Sequence, residues 1–225
     1  MNCAALFSGG KDSVLALHRA LQTGHSIECL VTIRSLAKDS YMYHLPNIAL
    51  TELSAKAMNL PLVIGETSEG KEKELGVLRE ILSDLKKSAG IKGVVSGAIA
   101  SNYQKKRVDS IASGLGLKSI APLWHRDEEK LLEEMLAEKM EIIIVGVYAA
   151  GLDERWLGRK LDGAALGDLA ALREKFGLSL AGEGGELETL VVNAPLFNKR
   201  IGIEKAEKEW DGARGELRVK KATLC

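Results

Sequence analysis

Apolar and polar positions alternate along the first two thirds of the chain in a repeating pattern. Short apolar runs rich in β-branched residues, such as 27–33 and 142–148, indicate buried strands. Between such runs lie longer segments in which apolar residues recur every three or four positions, as in 71–87, and this spacing is typical of amphipathic helices. The predicted strands are 3–7, 27–33, 62–64, 91–100, 118–121 and 142–148, and the predicted helices are 14–21, 48–58, 71–87, 128–140 and one that begins at 102. This alternation predicts an α/β fold with a doubly wound, mainly parallel sheet.

The pattern changes after residue 150. A helix is predicted within 161–176, and the strand-like pieces 187–192, 200–204 and 217–223 follow, separated by turns. We therefore predict two domains, a larger one at 1–150 and a smaller C-terminal α+β domain at 151–225. No low-complexity linker separates them, so we expect the domains to pack together and to frame one cleft.

Composition and charge narrow the classes of function. The 225 residues are 46% hydrophobic, and 31 basic residues balance 31 acidic ones, so a substantial core is expected and a broad nucleic-acid-binding surface is not. The three cysteines, Cys3, Cys29 and Cys225, are far apart and lack metal-ligand spacing, which predicts reduced thiols and no protein metal site. No membrane span or charged leader is recognisable. We expect a soluble, cytoplasmic protein, with a homodimer as one possible assembly.

The first candidate for chemistry is a glycine turn between the first strand and the first helix. Two adjacent glycines let the backbone turn tightly, and the start of the helix adds unpaired N–H groups and a positive dipole end, which suit a phosphate. A lysine, expected here to be exposed and flexible, adds positive charge, and two serine hydroxyls add donors. The residues of this turn are Ser8, Gly9, Gly10, Lys11, Asp12 and Ser13. The alternative is a plain turn in which Asp12 or Ser13 caps the helix.

The second candidate is an acidic glycine turn just before the strand at 187–192. Three carboxylates in such a turn suit the binding of Mg²⁺ or of a cationic substrate, or the removal of a proton from an attacking amine. The candidate residues in this turn are Glu183, Gly184, Gly185, Glu186, Glu188 and Thr189. A flexible acidic hairpin without a functional role is the alternative.

Further candidates lie where predicted strands end, since ligands gather at the carboxyl ends of parallel strands. His44 follows the second strand, and Gly97 belongs to a run of small residues that leaves space for a flat ring. Polar and aromatic side chains next to other strand ends are Tyr103, Gln104, Arg107 and Trp124. His44 is equally compatible with packing, and Arg107 with an exposed basic helix.

The glycine turn, SGGKDS, lacks the Walker spacing and resembles the PP-loop of N-type ATP pyrophosphatases. Together with GAIASNYQKKRV, PLW, GEGGELETLVV and PLF, it is similar to the diphthine–ammonia ligase family, in the compact form found in archaea. The resemblance implies a PP-loop (HUP-like) ATP-binding domain at 1–150 and a substrate-binding domain at 151–225. It also implies a reaction in which diphthine on elongation factor 2, ammonia and ATP with Mg²⁺ give diphthamide, AMP and pyrophosphate.

The same resemblance assigns roles to the candidate residues. An acyl-adenylate activates the carboxylate for attack by ammonia, and Lys11 and Glu186 are the implied catalytic residues. The implied ATP-binding residues are Ser8, Gly9, Gly10, Lys11, Asp12, Ser13 and Gly97. The implied substrate-binding residues are His44, Tyr103, Gln104, Arg107, Trp124, Glu183, Gly184, Gly185, Glu186, Glu188 and Thr189. The alternatives are a PP-loop enzyme that modifies tRNA and a nucleotide-binding sensor without catalysis.

Overall fold

A computed structural model describes residues 1–35, 47–67 and 71–225, with only the backbone for Ser35, Lys71 and Glu72. His44 lies outside the described residues. The strands are β1 (Asn2–Leu6), β2 (Ser26–Ser35), β3 (Leu62–Thr67), β4 (Gly93–Val95), β5 (Lys118–Ile120), β6 (Glu141–Val147), β7 (Leu187–Asn193), β8 (Ile201–Trp210) and β9 (Gly215–Leu224). The helices are α1 (Lys11–Gln22), α2 (Thr51–Met58), α3 (Lys71–Ser88), α4 (Asn102–Gly114), α5 (Glu128–Ala137) and α6 (Gly163–Phe176). Short 3₁₀ helices occupy Ile48–Leu50 and Glu154–Trp156.

The first five strands form one parallel sheet in the order β3-β2-β1-β4-β5. Alternate residues of β1 point to opposite faces, so that Ala4 packs with α3 and α4 while Cys3 and Ala5 pack with α1 and α5. Helices therefore cover both faces, and the predicted doubly wound α/β fold is confirmed. The strand order reverses between β1 and β4, which is where ligands bind in sheets of this kind.

A second, antiparallel sheet has the order β7-β6-β9-β8. The apolar run at 142–148 predicts a further strand of the parallel sheet, and this prediction is wrong, because β6 pairs with β7 and β9. β6 is almost entirely buried, and a strand buried on both faces shows the continuous apolar run that parallel strands show. The strands of the two sheets divide between Ile120 and Glu141, whereas the division at residue 150 stays a prediction.

The predicted strand at 91–100 is much shorter in the structure, where only Gly93–Val95 is strand. The small residues that follow leave the sheet and form a loop that leads into α4. β8, by contrast, continues well beyond the predicted 200–204. Its outer half is solvent-exposed and polar, so apolar periodicity did not mark it.

Backbone and side-chain contacts join the two sheets around α1. The Val191 N–H of β7 donates to the Gly9 carbonyl at 3.0 Å. Farther along, the Asn47 side chain donates to the Leu217 carbonyl at 2.8 Å and accepts from the Val219 N–H at 2.7 Å. The glycine turn is thus held against the second sheet.

Cys3 and Cys29 lie buried in β1 and β2 and form no disulfide. Burial raises the pKa of both thiols, that of Cys29 to about 11. Neither is therefore a ready nucleophile at neutral pH. Within the described ranges, no helix has the length and apolar character that a bilayer crossing requires.

Candidate active site

A cavity of about 240 Å³ lies at the carboxyl ends of β1 and β4, where the strand order reverses. Its walls come from the parallel sheet on one side and from the start of β7 and the turn before it on the other. The predicted site residues that line it are Ser8, Gly10, Lys11, Asp12, Ser13, Gly97, Gln104, Glu183, Gly185, Glu188 and Thr189. The structure therefore brings together the glycine turn and the acidic turn, which are about 170 residues apart in the sequence.

The glycine turn is a connection that only small residues permit. Gly9 has a φ of 79°, a left-handed conformation that favours glycine. A Cβ on Gly10 would come within 3.3 Å of both the Ser8 hydroxyl and the Thr189 carbonyl. Gly10 is also the N-cap of α1 and has no side chain with which to cap it, so the capping role considered for Asp12 or Ser13 is not observed.

Hydroxyl groups from the turn itself and from β7 hold this turn in shape. The Lys11 N–H donates to Thr189 Oγ1 at 3.1 Å. The Ser13 hydroxyl donates to the Gly10 carbonyl at 2.9 Å and accepts the Ser8 N–H at 3.3 Å. The turn is thus pre-shaped before any ligand binds, and β7 of the second sheet is part of it.

The expectation that Lys11 is exposed and flexible is wrong. Only 2% of the residue is accessible, because the segment before β7 covers it. Its Nζ donates to Asp12 Oδ2 at 2.8 Å and to the Ala181 carbonyl. The ammonium group of Lys11 is therefore held in a fixed direction between α1 and the segment before β7. Catalysis on phosphates requires such a preorganised charge.

Two carboxylates in the cavity have raised pKa values. Burial raises the pKa of Asp12, although Lys11 beside it acts in the opposite direction. Asp12 Oδ1 is buried and accepts no hydrogen bond within residues 1–35, 47–67 and 71–225. Burial also raises the pKa of Glu188 to about 7; Lys11 opposes that shift, and the charges of Asp12 and Glu216 add to it. The cavity thus contains a group that gains or loses a proton near neutral pH.

Glu183 connects the acidic turn to the start of α4. Its carboxylate accepts the N–H groups of Ile99 at 3.2 Å, Ala100 at 3.0 Å and Ser101 at 2.7 Å. The negative charge lies at the positive end of the α4 dipole, an arrangement that stabilises both. These contacts match the charge of Glu183 with protein donors, which favours an anchoring role over the binding of a cation.

Glu186 and Gly184 do not line the cavity. The Glu186 carboxylate accepts the N–H groups of Gly184 at 2.8 Å and Ser179 at 3.3 Å. A Cβ on Gly184 would come within 2.7 Å of that carboxylate. Glu186 therefore holds the acidic turn in shape.

The aromatic candidates Tyr103 and Trp124, and Arg107 with them, do not line the cavity. The Arg107 guanidinium stacks on the Tyr103 ring, with its Cζ 3.3 Å from the ring centre. The Trp124 ring has Lys105 Nζ 5.6 Å from its centre. Each ring thus already has a protein cation on one face.

Gly97 lines the cavity, but its lack of a side chain has a different reason from the one predicted. A Cβ there would lie 2.9 Å from the Asp12 carbonyl carbon and 3.0 Å from the Ser13 nitrogen. The glycine lets the loop after β4 touch the backbone of α1, so close packing explains it without a ring.

Several residues of the site escaped the sequence analysis. Part of the cavity wall is apolar, and the buried hydroxyl of Ser96 has no hydrogen-bond partner in the part of the chain described. The residues of that wall are Leu6, Phe7, Val31, Ile33, Ile48 and Val108. Glu128 was missed as well, and its carboxylate accepts the Ser179 hydroxyl and the N–H groups of Leu180 and Ala181. The positions of Leu6, Phe7, Val31 and Ile33 in or next to β1 and β2 were a signal that could have found most of the wall, but no local pattern marked Glu128.

Comparison with known proteins finds two family matches that together cover nearly the whole chain. The family described as diphthamide synthase N-terminal domain matches residues 1–119, and the diphthamide synthase C-terminal domain matches residues 127–225. The chain is 39% identical to diphthine–ammonia ligase of Rattus norvegicus over 227 residues, which cover 92% of this chain and 84% of the relative. The human diphthine–ammonia ligase is 35% identical, with the same shares. The relative from Schizosaccharomyces pombe is also 35% identical and matches all of this chain with 39% of its own length.

Proposed function

This chain belongs to the diphthamide synthase family, and we propose that it is a diphthine–ammonia ligase whose reaction takes place in the cavity between its two sheets. The substrate is the diphthine-bearing histidine of elongation factor 2, and the nitrogen donor is ammonia. The observation that carries this proposal is the meeting of a phosphate-binding type of turn with an acidic turn in one cavity. The glycine turn suits the activation of a carboxylate by ATP. The acidic turn suits the binding or deprotonation of an amine.

ATP is the proposed source of that activation. α1 begins at a glycine N-cap with its positive dipole end facing the cavity, and Lys11 adds a buried positive charge, so the outer phosphates fit at this end of the cavity. The apolar wall formed by the ends of β1 and β2 suits the adenine ring. Gly9 supports the turn from behind, where its neighbours are Leu190 and Thr51.

Activation is needed because ammonia cannot displace the poor oxygen leaving group of a free carboxylate. Transfer of AMP to the carboxylate makes an acyl-adenylate, and AMP then leaves when the C–N bond forms. In this scheme Lys11 neutralises charge on the departing pyrophosphate. Because Lys11 is buried and held by the segment before β7, it lies between the phosphate-binding turn and the substrate side of the cavity.

Mg²⁺ is expected to accompany the nucleotide. Across residues 1–35, 47–67 and 71–225, no group of three His, Cys, Asp or Glu side chains is arranged to hold a metal ion. We therefore assign it no protein ligand and propose that it is bound by the phosphates and water, as Mg²⁺ often is.

The remaining candidates receive proposed roles that follow their positions. Gln104 and Thr189 line the cavity and contact the substrate. Tyr103, Arg107 and Trp124, which do not line the cavity, are proposed to contact the protein substrate around its modified histidine. The reaction is proposed to occur in the cytoplasm, and a homodimer is a prediction that sedimentation analysis tests.

The experiment is to mix the protein with ATP, ammonium and elongation factor 2 that carries diphthine. We expect AMP and pyrophosphate to form in equal amounts, together with the mass change from carboxylate to carboxamide on the modified histidine. Unmodified elongation factor 2 is the control and releases neither product. Nucleotide binding without any turnover would instead support a sensor, and turnover with tRNA in place of elongation factor 2 would overturn the proposal.

A further inference from the structure

Glu188 occupies a distinctive position in the cavity. It lies on β7, directly after Leu187, and its side chain lines the cavity together with the glycine turn. Its neighbour across the β6–β7 pair is Gly146. A Cβ on Gly146 would lie 3.0 Å from the Glu188 Cβ and 2.7 Å from the Tyr148 hydroxyl, so the glycine makes room for the Glu188 side chain.

The other carboxylates around the cavity all have protein partners. Glu128, Glu183 and Glu186 accept backbone N–H groups, Asp12 accepts Lys11 Nζ, and Glu216 accepts the Tyr148 hydroxyl. Within the three described segments, the Glu188 carboxylate makes no hydrogen bond and no ion pair. The side chain is only partly buried and lines the cavity, so this free acceptor is open to a small ligand that enters there.

The charges that face Glu188 come from three elements. On α1, Lys11 attracts it and Asp12 repels it; on β9, Glu216 repels it. The hydroxyl of Tyr148, just after β6, has its own pKa raised by burial and by Glu216 and Glu188, so it stays protonated. The carboxylates give this part of the cavity a negative potential that suits a small cation.

We propose that Glu188 binds ammonium and removes a proton from it, so that ammonia is released next to the activated carboxylate. This inference rests on the proposed ligase function and reassigns to Glu188 the proton-accepting role expected of Glu186. Ammonium itself has no lone pair and cannot attack, whereas its concentration near neutral pH far exceeds that of ammonia.

The step balances as follows. The Glu188 carboxylate takes one proton from ammonium, which leaves ammonia and the neutral acid. The nitrogen lone pair attacks the acyl carbon, the C–N bond forms, and the bond from that carbon to the AMP oxygen breaks. AMP leaves as an anion, and the nitrogen loses a second proton to solvent to give the neutral amide. The pKa of Glu188, about 7, suits a group that must both accept and release protons near neutral pH.

The test uses Glu188→Gln in the full chain with diphthine-bearing elongation factor 2. Three reactions are measured: ATP–pyrophosphate exchange, amide formation from ammonium, and hydroxamate formation from hydroxylamine. Hydroxylamine is largely unprotonated at neutral pH and needs no base. We expect exchange and hydroxamate formation within a few-fold of wild type, and a loss on the order of 10²-fold or more in kcat/KM for ammonium. The loss should shrink as pH rises, because free ammonia then becomes abundant.

Glu209→Gln, the same change on the exposed part of β8, is the matched control and should behave as wild type in all three reactions. Equal losses with ammonium and hydroxylamine would show a structural role for Glu188 and overturn the inference. Loss of exchange would place Glu188 in ATP activation and overturn it as well. Absence of exchange in the wild-type protein would instead refute the ligase function itself, so the two failures are distinguishable.

Discussion

Replacement of Glu188 by glutamine is expected to change how the stability of the protein depends on pH. Burial raises the pKa of Glu188 from 4.5 to about 7. Between those values the folded protein holds a proton that the unfolded chain has lost. The contribution of Glu188 to stability is therefore present below about pH 4.5 and is lost as pH rises toward 7. Glutamine does not titrate, so the variant lacks this loss.

The size of the effect follows from the difference between the two pKa values. At 1.36 kcal/mol per unit, the full shift corresponds to about 3 kcal/mol. Between pH 5 and pH 8, the free energy of unfolding of wild type is expected to fall by about 2.5 kcal/mol more than that of Glu188→Gln. Because Asp12 shares the cavity and titrates with Glu188, this figure is an upper value.

The assay is urea unfolding of both proteins at pH 5 and pH 8. Glu204→Gln is a control for the sign of the effect, because the hydrogen bond from Lys221 lowers the pKa of Glu204. The stabilisation from Glu204 is complete above its unfolded pKa, so its removal should cost the same at both pH values. Parallel stability curves for wild type and Glu188→Gln would refute the raised pKa and weaken the case for a proton acceptor.

Three further variants test the geometry of the site. Lys11→Ala should lower pyrophosphate release on the order of 10²-fold to 10³-fold, and it should also lower the melting temperature, because the Nζ bond to the Ala181 carbonyl is lost; unchanged turnover would exclude this lysine from the mechanism. Gly97→Ala places a methyl group 2.9 Å from the Asp12 carbonyl carbon and should cost about 1–3 kcal/mol in chemical unfolding, so a fully stable variant would contradict the observed packing. Glu183→Ala removes three charge-assisted hydrogen bonds and should lower the free energy of unfolding by about 1.5–3 kcal/mol or more. Glu183→Gln should be intermediate. If Glu183 instead binds a cation, the variants should bind substrate more weakly while their stability stays unchanged.

Features encoded over a few residues were predictable from the sequence. The runs and spacing of apolar residues predicted at least part of each of the nine strands in the described residues. SGGKDS predicted the turn that opens α1. The acidic turn was recognised because glycines and carboxylates occur together there without a folding requirement. Its meeting with the glycine turn followed from the expectation of a single cleft.

Features that depend on distant contacts were not predictable. β6 has the continuous apolar run of a parallel strand, and only its partners show that it belongs to the second sheet. Lys11 is buried because a segment 170 residues away covers it. The distinction between Glu183, Glu186 and Glu188 depends on which backbone N–H groups each one reaches, and sequence spacing does not determine that.

The proposed reaction passes through an acyl-adenylate, and the fate of a substrate oxygen reveals whether that intermediate forms. Elongation factor 2 whose diphthine carboxylate carries a heavy isotope at both oxygens is converted with ATP and ammonium, and the nucleotide product is analysed by mass spectrometry. Attack of the carboxylate on the phosphate of ATP that becomes AMP predicts one labelled oxygen in each AMP formed. Unlabelled AMP, or ADP together with labelled phosphate, would contradict the formation of an acyl-adenylate.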